Sequence, residues 1–437
     1  MPPTEPIRAT RGVRDLLPAE RPAWQLVEGA AAVVAERFGY QEIETAIIEP
    51  AELVERGVGD DTDIVSKELY KFQDPGKRWL VLRPEATVGV LRAYFEGNLN
   101  QGPQPGRLFT QGPMFRHDRP QAGRYRQFYQ FDVEAIGDAS PSLDAEVIEL
   151  AWTWFRELGL ARVSLQVNSI GDGNCRPAYR EALLAYYRPL REDLCHDCKR
   201  RLETNPLRLL DCKEDSAHRE AAPKISEFLC EPCRDAFEQV KAQLDAAGIP
   251  YTVNPLLVRG LDYYARTAFE FWHESLSGAQ NALGGGGRYD GLAEAIGYPA
   301  TPAVGFAAGI DRVVLMLAEE GVEIVARPAA EVLVVTDGEG LELAAGVVGR
   351  IAREVLSVAV DYTTRSLKAK MRSANRAGAR WVLLMNADEA RRKVVQLKEM
   401  ASSEQVEVAW SDLEATLTDR AIALEEIDMT QLEGQPL

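Results

Sequence analysis

Histidine is scarce in this sequence: only His117, His196, His218 and His273 occur among 437 residues. They stand isolated from one another and are read as structural, so none is assigned a catalytic role. Long apolar runs are missing too. Nowhere do about 18 uncharged apolar residues follow one another, so no membrane span is expected. Met1 to Thr10 lacks the apolar stretch of a secretory signal. Positive charge is in the minority. The formal net charge of −17 argues against a protein that coats nucleic acid by bulk charge. A local basic patch stays open, because counterion release depends on the contacts made and not on the total. Six cysteines in so long a chain do not suggest a disulfide scaffold, and a reducing, cytoplasmic setting is expected. Internal repeats and low-complexity tracts are absent.

The chain is too long for one ordinary core, which predicts two or three domains. Arg21 to Phe38 reads as a helix stopped by Gly39, with Trp24, Val27, Ala31, Val34 and Phe38 at helical spacing. Ser140-Pro141, a cap and a first-turn proline, opens a second helix that runs to about Gly159. Between them, residues 127–135 alternate. Tyr129, Phe131, Val133 and Ala135 share one face, and Phe128, Gln130, Asp132 and Glu134 share the other. Taken alone, that is a half-exposed antiparallel strand with Gln130 and Glu134 side by side on the open face. From Ile170 to about Pro250 the texture turns helical and charged, and all six cysteines fall here; the stretch reads as an insertion. Arg327-Pro328 marks a linker. Beyond it, strands at 331–336, 358–362 and 381–385 alternate with helices at 341–356 and 366–377, the pattern of a small parallel-sheet domain. It ends near Leu417, and the acidic last twenty residues are peripheral.

Three groupings carry chemistry. The first is Gly112-Pro-Met-Phe-Arg-His-Asp-Arg-Pro-Gln-Ala-Gly-Arg-Tyr-Arg-Gln-Phe128, which gathers Arg116, Arg119, Arg124 and Arg126 around a turn at Pro120 and Gly123. Guanidiniums suit bidentate binding of phosphate, and Phe128 could stack on a base. The second is a pair of Cys-x-x-Cys units, Cys195/Cys198 and Cys230/Cys233, with Cys212 between them. Such pairs make a tetrahedral structural zinc site, or remain reduced thiols; spacing leaves both open. The third runs from Arg365 to Lys398. Ten basic residues (Arg365, Lys368, Lys370, Arg372, Arg376, Arg380, Arg391, Arg392, Lys393, Lys398) stand against Asp388 and Glu389. That is a local electrostatic footprint, or a solvated helix face.

The order of these residues resembles a known class. Phe-Arg-x-Asp, a loop, then Arg and Phe128 is similar to the second signature motif of class II aminoacyl-tRNA synthetases, and Gly305-Phe-Ala-Ala-Gly-Ile-Asp-Arg312 to their third. Gly39 to Pro50 stands in the place of the first, dimer-forming motif. Leu257-Val-Arg-Gly-Leu-Asp-Tyr-Tyr264 and Gly285-Gly-Gly-Arg-Tyr-Asp-Gly-Leu292 resemble signatures of the histidine–tRNA ligase family. Leu82-Arg-Pro-Glu-Ala-Thr87 and Asn205-Pro-Leu-Arg-Leu-Leu-Asp-Cys-Lys213 are in its style. The resemblance spans Arg11 to about Trp410. It implies an α+β catalytic domain on a mostly antiparallel sheet over residues 1–325, interrupted by an insertion at 171–250. An anticodon-binding α/β domain with an acidic tail would follow over 329–437.

It further implies ATP-dependent ligation of L-histidine to tRNA(His) through a histidyl-adenylate, in a homodimer. The attacking carboxylate is already an anion, so no general base is required; placed positive charge and alignment carry the rate. By the resemblance, Arg116 would hold the α-phosphate and Arg259 would bridge it to the histidine carboxylate. Arg312 and Arg124 would hold the outer phosphates, which Mg²⁺ bridges. Asp118 would place adenine and Phe128 would stack on it. Glu134 and Tyr264 would read the imidazole, Glu85, Thr87 and Gln130 would take the α-ammonium, and Tyr263 and Tyr289 would close the pocket. Arg119 and Gln121 would meet the tRNA acceptor end, and Arg365, Lys368, Lys370 and Arg372 its anticodon side. Asn386 stands where a glycine is common and Asp311 where glutamate is more frequent, which touches anticodon contact and the ATP clamp. The competing expectation is a histidine-binding regulatory subunit of ATP phosphoribosyltransferase; retention of Arg259 and of the basic domain speaks against it.

Overall fold

The computed structural model describes residues 7–59, 62, 64–121, 123–212, 214–261, 263–276, 282–324 and 328–432. Lys213, Asp262, Arg327 and the tail beyond Leu432, which entered the sequence reading, lie outside them. The chain divides into two compact units, Met1–Ile324 and Val325–Leu437.

The first unit opens with α1 (Arg21–Arg37), which has a proline in its first turn and buries Trp24, Val27, Ala31, Val34 and Ala35 along one stripe. Gly39, at φ +81°, turns the chain out of the helix. Next come β1 (Gln41–Glu42), β2 (Ile48–Pro50), α2 (Ala51–Val58), β3 (Lys71–Gln73), β4 (Trp79–Leu82) and α3 (Thr87–Glu96). The long hairpin β5 (Gly106–Phe115) and β6 (Gln127–Ile136) leads to α4 (Pro141–Glu157). Ser140 caps α4, its hydroxyl accepting from the Ser142 N–H at 3.3 Å. After β7 (Val163–Ser169) the insertion supplies α5 (Arg176–Tyr187), α6 (His196–Thr204), α7 (Ser216–Arg219) and α8 (Glu231–Ala246). The unit closes with β8 (Tyr251–Val253), β9 (Ala265–His273), β10 (Ala282–Arg288), α9 (Leu292–Ala295), β11 (Ala303–Gly309) and α10 (Ile310–Glu320).

Eight strands form one sheet in the order β1-β5-β6-β11-β10-β9-β7-β8. Only the edge strands β1 and β8 pair in parallel; the neighbouring pairs between β5 and β7 are antiparallel. One face carries α1, α4 and α10. There Phe131, Trp154, Phe155, Phe269, Phe271 and Phe306 meet ring to ring at 4.8–6.4 Å. Burying each ring contributes about 1.5–3 kcal/mol, so this cluster is the main anchor of the sheet. The alternation in β6 puts Phe131, Val133 and Ala135 into that core. Its other face is not the solvated one expected from the pattern: Gln130, Asp132 and Glu134 are all buried. Period two fixes which side chains share a face, and what covers that face is a tertiary matter.

A buried ion pair ties the sheet to α4. Arg288, 1% exposed, donates to Asp144 from Nε at 2.9 Å and Nη2 at 2.5 Å, and also to the carbonyls of Asp138 and Ser140.

The second unit comprises β12 (Val332–Asp337), α11 (Glu342–Arg353), β13 (Val358–Val360), α12 (Leu367–Arg376), β14 (Trp381–Asn386), α13 (Ala387–Arg392), β15 (Val394–Glu399), β16 (Gln405–Ala409) and α14 (Leu413–Leu432). Its sheet, β13-β12-β14-β15-β16, is parallel over the first three strands and antiparallel over the last two pairs. The expectation of a parallel sheet therefore covers only its first half. The short connection through α13 reverses the chain, and the tight turn after β15 reverses it again, which parallel pairing does not allow. Asn386 caps α13 through a capping box with Glu389.

Removing the Asp144 carboxylate leaves Arg288 buried with Asp290, at 3.0 Å, as its one remaining carboxylate partner among the described residues. Asp144→Ala should cost about 2–4 kcal/mol in urea unfolding of the chain; a loss below ~1 kcal/mol would show that the pair does not anchor the sheet.

Candidate active site

The open face of the sheet floors a cavity of about 590 Å³ in the first unit. Its floor is glycine. Gly284 and Gly285 on β10 and Gly305 on β11 line it. A Cβ on Gly285 would come within 2.5 Å of Arg259 Nη1, and one on Gly305 within 2.0 Å of the Glu134 carboxylate. The glycine run is thus not a loop but a strand stripped of side chains, so that charged groups can lie flat on the sheet.

The cavity is divided by charge. At one end stand Glu85, Asp132, Gln130 and Thr87 with the phenols of Tyr263, Tyr264 and Tyr289. Glu85 accepts from the N–H groups of Thr87 and Val88, both at 3.0 Å, and so caps α3 while facing the cavity. The Tyr263 hydroxyl approaches Glu85 at 3.5 Å. Burial raises the Glu85 carboxyl, and raises Asp132 and Glu134 well above the usual carboxylate range. Among the described residues, neither Asp132 oxygen has a hydrogen-bond partner, nor has Gln130 Oε1. Unpaired buried acceptors are costly, so a cation donor is the ligand this end fits.

At the other end stand Arg116, Arg124, Arg312 and Arg259 with Asp118 and Glu270. Arg116 is aimed by its Nε donating to the Pro84 carbonyl at 2.8 Å, with its guanidinium 5.2 Å from the Phe128 ring centre. Arg312 is aimed by the carbonyls of Ala282, at 2.6 Å, and Gly123, at 3.3 Å. Burial lowers both guanidiniums, and for Arg312 the neighbouring Arg124 and Arg116 lower it further. Arg259 pairs with Glu270 at 2.5 Å and lies over the Tyr264 ring. Burial pulls its guanidinium down, but Glu270 and Tyr264 outweigh burial and hold it above its ordinary value. Arg124 pairs with Asp118. Several cations held together beside few acids make a receptor for a polyanion.

Most residues singled out in the sequence meet here: Glu85, Thr87, Arg116, Asp118, Arg124, Phe128, Gln130, Arg259, Tyr263, Tyr264, Tyr289 and Arg312 all line the cavity. Glu134 needs correction. It lies behind the wall, 2% exposed, and accepts from the Tyr289 hydroxyl. Arg119 and Gln121 are exposed at the tip of the β5–β6 hairpin. Asp311 lines the cavity, but its carboxylate is engaged by the Tyr129 N–H at 2.9 Å and by Arg14 at 3.3 Å. It braces the strand end rather than clamping a phosphate.

Of the cavity residues given no role in the sequence reading, Asp132 and Glu270 bear most on its charge. Asp132 was visible, being on the same strand face as Gln130 and Glu134. Glu270 had no local signal; it reaches Arg259 only because β9 and β10 pair Glu270 with Gly285. His273, by contrast, is buried against Glu320 at 2.8 Å, a structural contact.

Two further readings change. Lys370 is not a surface cation: it is 3% exposed and donates to the Thr336 carbonyl at 3.1 Å and hydroxyl at 3.2 Å. It lies on the face of α12 turned toward the sheet, whereas Lys368 and Arg372 are exposed, as is Arg365, paired with Asp361 at 2.9 Å. The Cys-x-x-Cys units do not share one site. Cys195 and Cys198 gather with Cys212 and Asp215, while Cys230 and Cys233 gather with Asp172 and Cys175. Each pair opens a different helix, α6 or α8, and meets a different partner loop.

Comparison with known proteins gives a consistent result. A family described as Histidyl-tRNA synthetase matches residues 12–172 and 197–313, and one described as Anticodon binding domain matches 330–420. A histidine–tRNA ligase of Desulforudis audaxviator is 48% identical over 410 residues, covering 93% of this chain and 97% of its own. One of Geobacillus kaustophilus is 46% identical over 415 residues, covering 94% and 97%. The crystal structure of an apo histidyl-tRNA synthetase from S. aureus superposes with a TM-score of 0.80 at 36% identity, covering 94% of this chain and 100% of that one. Among the described residues, no helix is long and apolar enough to cross a membrane.

Asp132 gives a stability test. Its unfolded pKa is about 3.9 and its folded value is higher. Above ~3.9 the unfolded chain gives up this proton first, so stability falls as pH rises until the folded value is passed. Asp132→Asn should remove that decline and raise neutral-pH stability by roughly 1 kcal/mol, a few degrees in Tm. A variant that is less stable at neutral pH would show that Asp132 is already paired.

Proposed function

This chain belongs to the histidyl-tRNA synthetase family, and from that premise we propose how its cavity carries the ATP-dependent joining of L-histidine to tRNA(His). The histidine carboxylate attacks the α-phosphorus of ATP, an oxygen–phosphorus bond forms, and pyrophosphate leaves. The terminal ribose hydroxyl of the tRNA then takes the histidyl group from the adenylate, and AMP leaves.

The observation that carries the assignment is the charge division of one cavity. An amino acid with a cationic α-ammonium and a triphosphate have opposite needs, and the two ends supply them. Asp132, Glu85, Gln130 and Thr87 receive the ammonium. Tyr264 reads the imidazole, and Glu134 reaches it through Tyr289: that hydroxyl donates to Glu134 and is left to accept from a ring N–H. A polar reader rejects isosteres more strongly than an apolar pocket does. Tyr263 closes the wall. Arg116 holds the α-phosphate, and Arg259 links it to the carboxylate. Arg312 and Arg124 hold the outer phosphates, with Phe128 and Asp118 on adenine. These are charge-assisted contacts aimed where negative charge accumulates.

ATP brings Mg²⁺, a hard cation that takes carboxylate and phosphate oxygens. Glu270, a carboxylate at the phosphate end of the cavity, has the donor chemistry to hold it; bound there, the ion would offset charge on the phosphates. The exposed Arg119 and Gln121 suit the tRNA acceptor end, and Arg365, Lys368 and Arg372 its anticodon side. The same reading makes the protein a cytoplasmic homodimer. Support comes from exposed apolar residues on and beside β2, β3 and β4: Ile47, Ile48, Phe72 and Trp79.

Arg259→Ala should lower histidine-dependent ATP–pyrophosphate exchange at least about 100-fold while histidine still binds. Wild-type exchange in the variant, or no histidine-dependent exchange in the parent, would overturn the assignment. Replacing Lys368 and Arg372 together by alanine should leave that exchange unchanged and raise the KM for tRNA roughly ten-fold, less so at high salt. An unchanged KM would remove this face from the tRNA contact.

A further inference from the structure

The insertion between β7 and β8 holds all six cysteines, and none of them is bonded to another. They stand in two groups built on the same plan. Asp172-x-x-Cys175 faces Cys230-x-x-Cys233, and Cys195-x-x-Cys198 faces Cys212-x-x-Asp215. In each group the four ligand atoms, three sulfurs and one carboxylate oxygen, lie within 4.8 Å of one another. We propose that the insertion carries two separate structural zinc sites, each closed by three cysteine thiolates and one aspartate.

The distances exclude disulfides and suit a shared metal ion. A disulfide needs sulfurs about 2.05 Å apart. A tetrahedral zinc ion with Zn–S bonds of about 2.3 Å sets them about 3.8 Å apart. Cys195 and Cys212 are 3.8 Å apart, Cys175 and Cys230 3.3 Å, and Cys212 lies 3.6 Å from Asp215 Oδ2. Four protein ligands leave no open position, so the sites are structural rather than catalytic. Soft thiolates with one carboxylate select zinc over magnesium or calcium.

Three thiolates and a carboxylate around Zn²⁺ carry surplus negative charge, and each site has donors that offset it. The Cys230 N–H points at Cys175 Sγ at 3.1 Å, and the Cys198 N–H at Cys195 Sγ at 3.4 Å. The Cys195 N–H reaches both Asp215 oxygens at 3.1 and 3.2 Å, and Arg266 stands 3.7 Å from Asp172. Such outer contacts orient ligands and stabilise their charged form.

The sites also do something a small insertion needs. Its own core is modest and made partly of these cysteines. Metal clips are a common supplement where burial is limited. One site ties the entry of the insertion to the start of α8. The other fixes the segment after α6, where Arg208 donates to the Gly260 carbonyl at 2.7 Å, next to Arg259.

The test is metal content of the full-length protein, purified without chelator and measured by mass spectrometry, with free thiols titrated in parallel. About two zinc ions per chain are expected, with few reactive thiols until a chelator is added. Cys175→Ser and Cys212→Ser should each lower the count to about one, and Co²⁺ replacement should give thiolate-to-metal charge-transfer absorption. Six reactive thiols and no zinc would overturn the proposal. So would a single zinc that survives both substitutions, the result for one shared four-cysteine site. Neither wild-type measurement depends on how the variants fold.

Discussion

The site depends on the absence of side chains from the middle of a sheet. Gly284 to Gly287 and Gly305 sit on the central strands β10 and β11, where packing would ordinarily call for β-branched residues. The bareness of Gly285 and Gly305 lets Arg259 and Glu134 approach the backbone more closely than any Cβ would allow, while Gly286 leaves room for Phe269 on the other face. Glycine in a strand weakens it. The weakness is offset on the opposite face, where aromatic residues of β6, β9, β11 and α4 interlock. One face of the sheet supplies stability, and the other is freed for chemistry.

On that freed face, charge is arranged by distance along the strands. Glu85 and Asp132 stand by Gln130 and Arg124 and Arg312 by the β5–β6 hairpin, while Arg259 lies over Gly285 and Tyr264 between the two groups. Burial works against both. It lifts Asp132, Glu134 and Glu85 and lowers Arg116 and Arg312. Burial thus disfavours the charged form at each end. In the proposed reading, histidine and ATP would bring the opposite charges, so binding and charge compensation would be one event. A preorganised site of this kind does not need to rearrange when charge builds up on phosphate.

Much of this was legible in the chain. Gly39 ends α1, Ser140 and Pro141 begin α4, and the period of two in β6 sorts its side chains; these are local effects of dihedral preference, capping and pleat. The arginines of the cavity could be named because their neighbours in sequence form recognisable motifs. Asp132 shared a face with two named residues and needed only to be weighed. Glu270 and the insertion residue Arg219 were not legible, and for Leu210 and Asp211 the motif was noted but not its place at the cavity edge. They arrive through strand pairing and helix packing across long stretches of sequence.

The sequence by itself determined the chemistry: which residue types were present, the order of the motifs, and the elements that carry them. Local propensity and functional-group identity are properties of short segments, so they can be read without coordinates. The tertiary structure decided what those groups face. It turned Lys370 inward, because the buried side of α12 needed a donor for Thr336. It set Glu134 behind Tyr289. It divided six cysteines between two clusters instead of joining two pairs in one, because α6 and α8 begin beside different loops. Partnership is a long-range property, fixed only when distant segments pack.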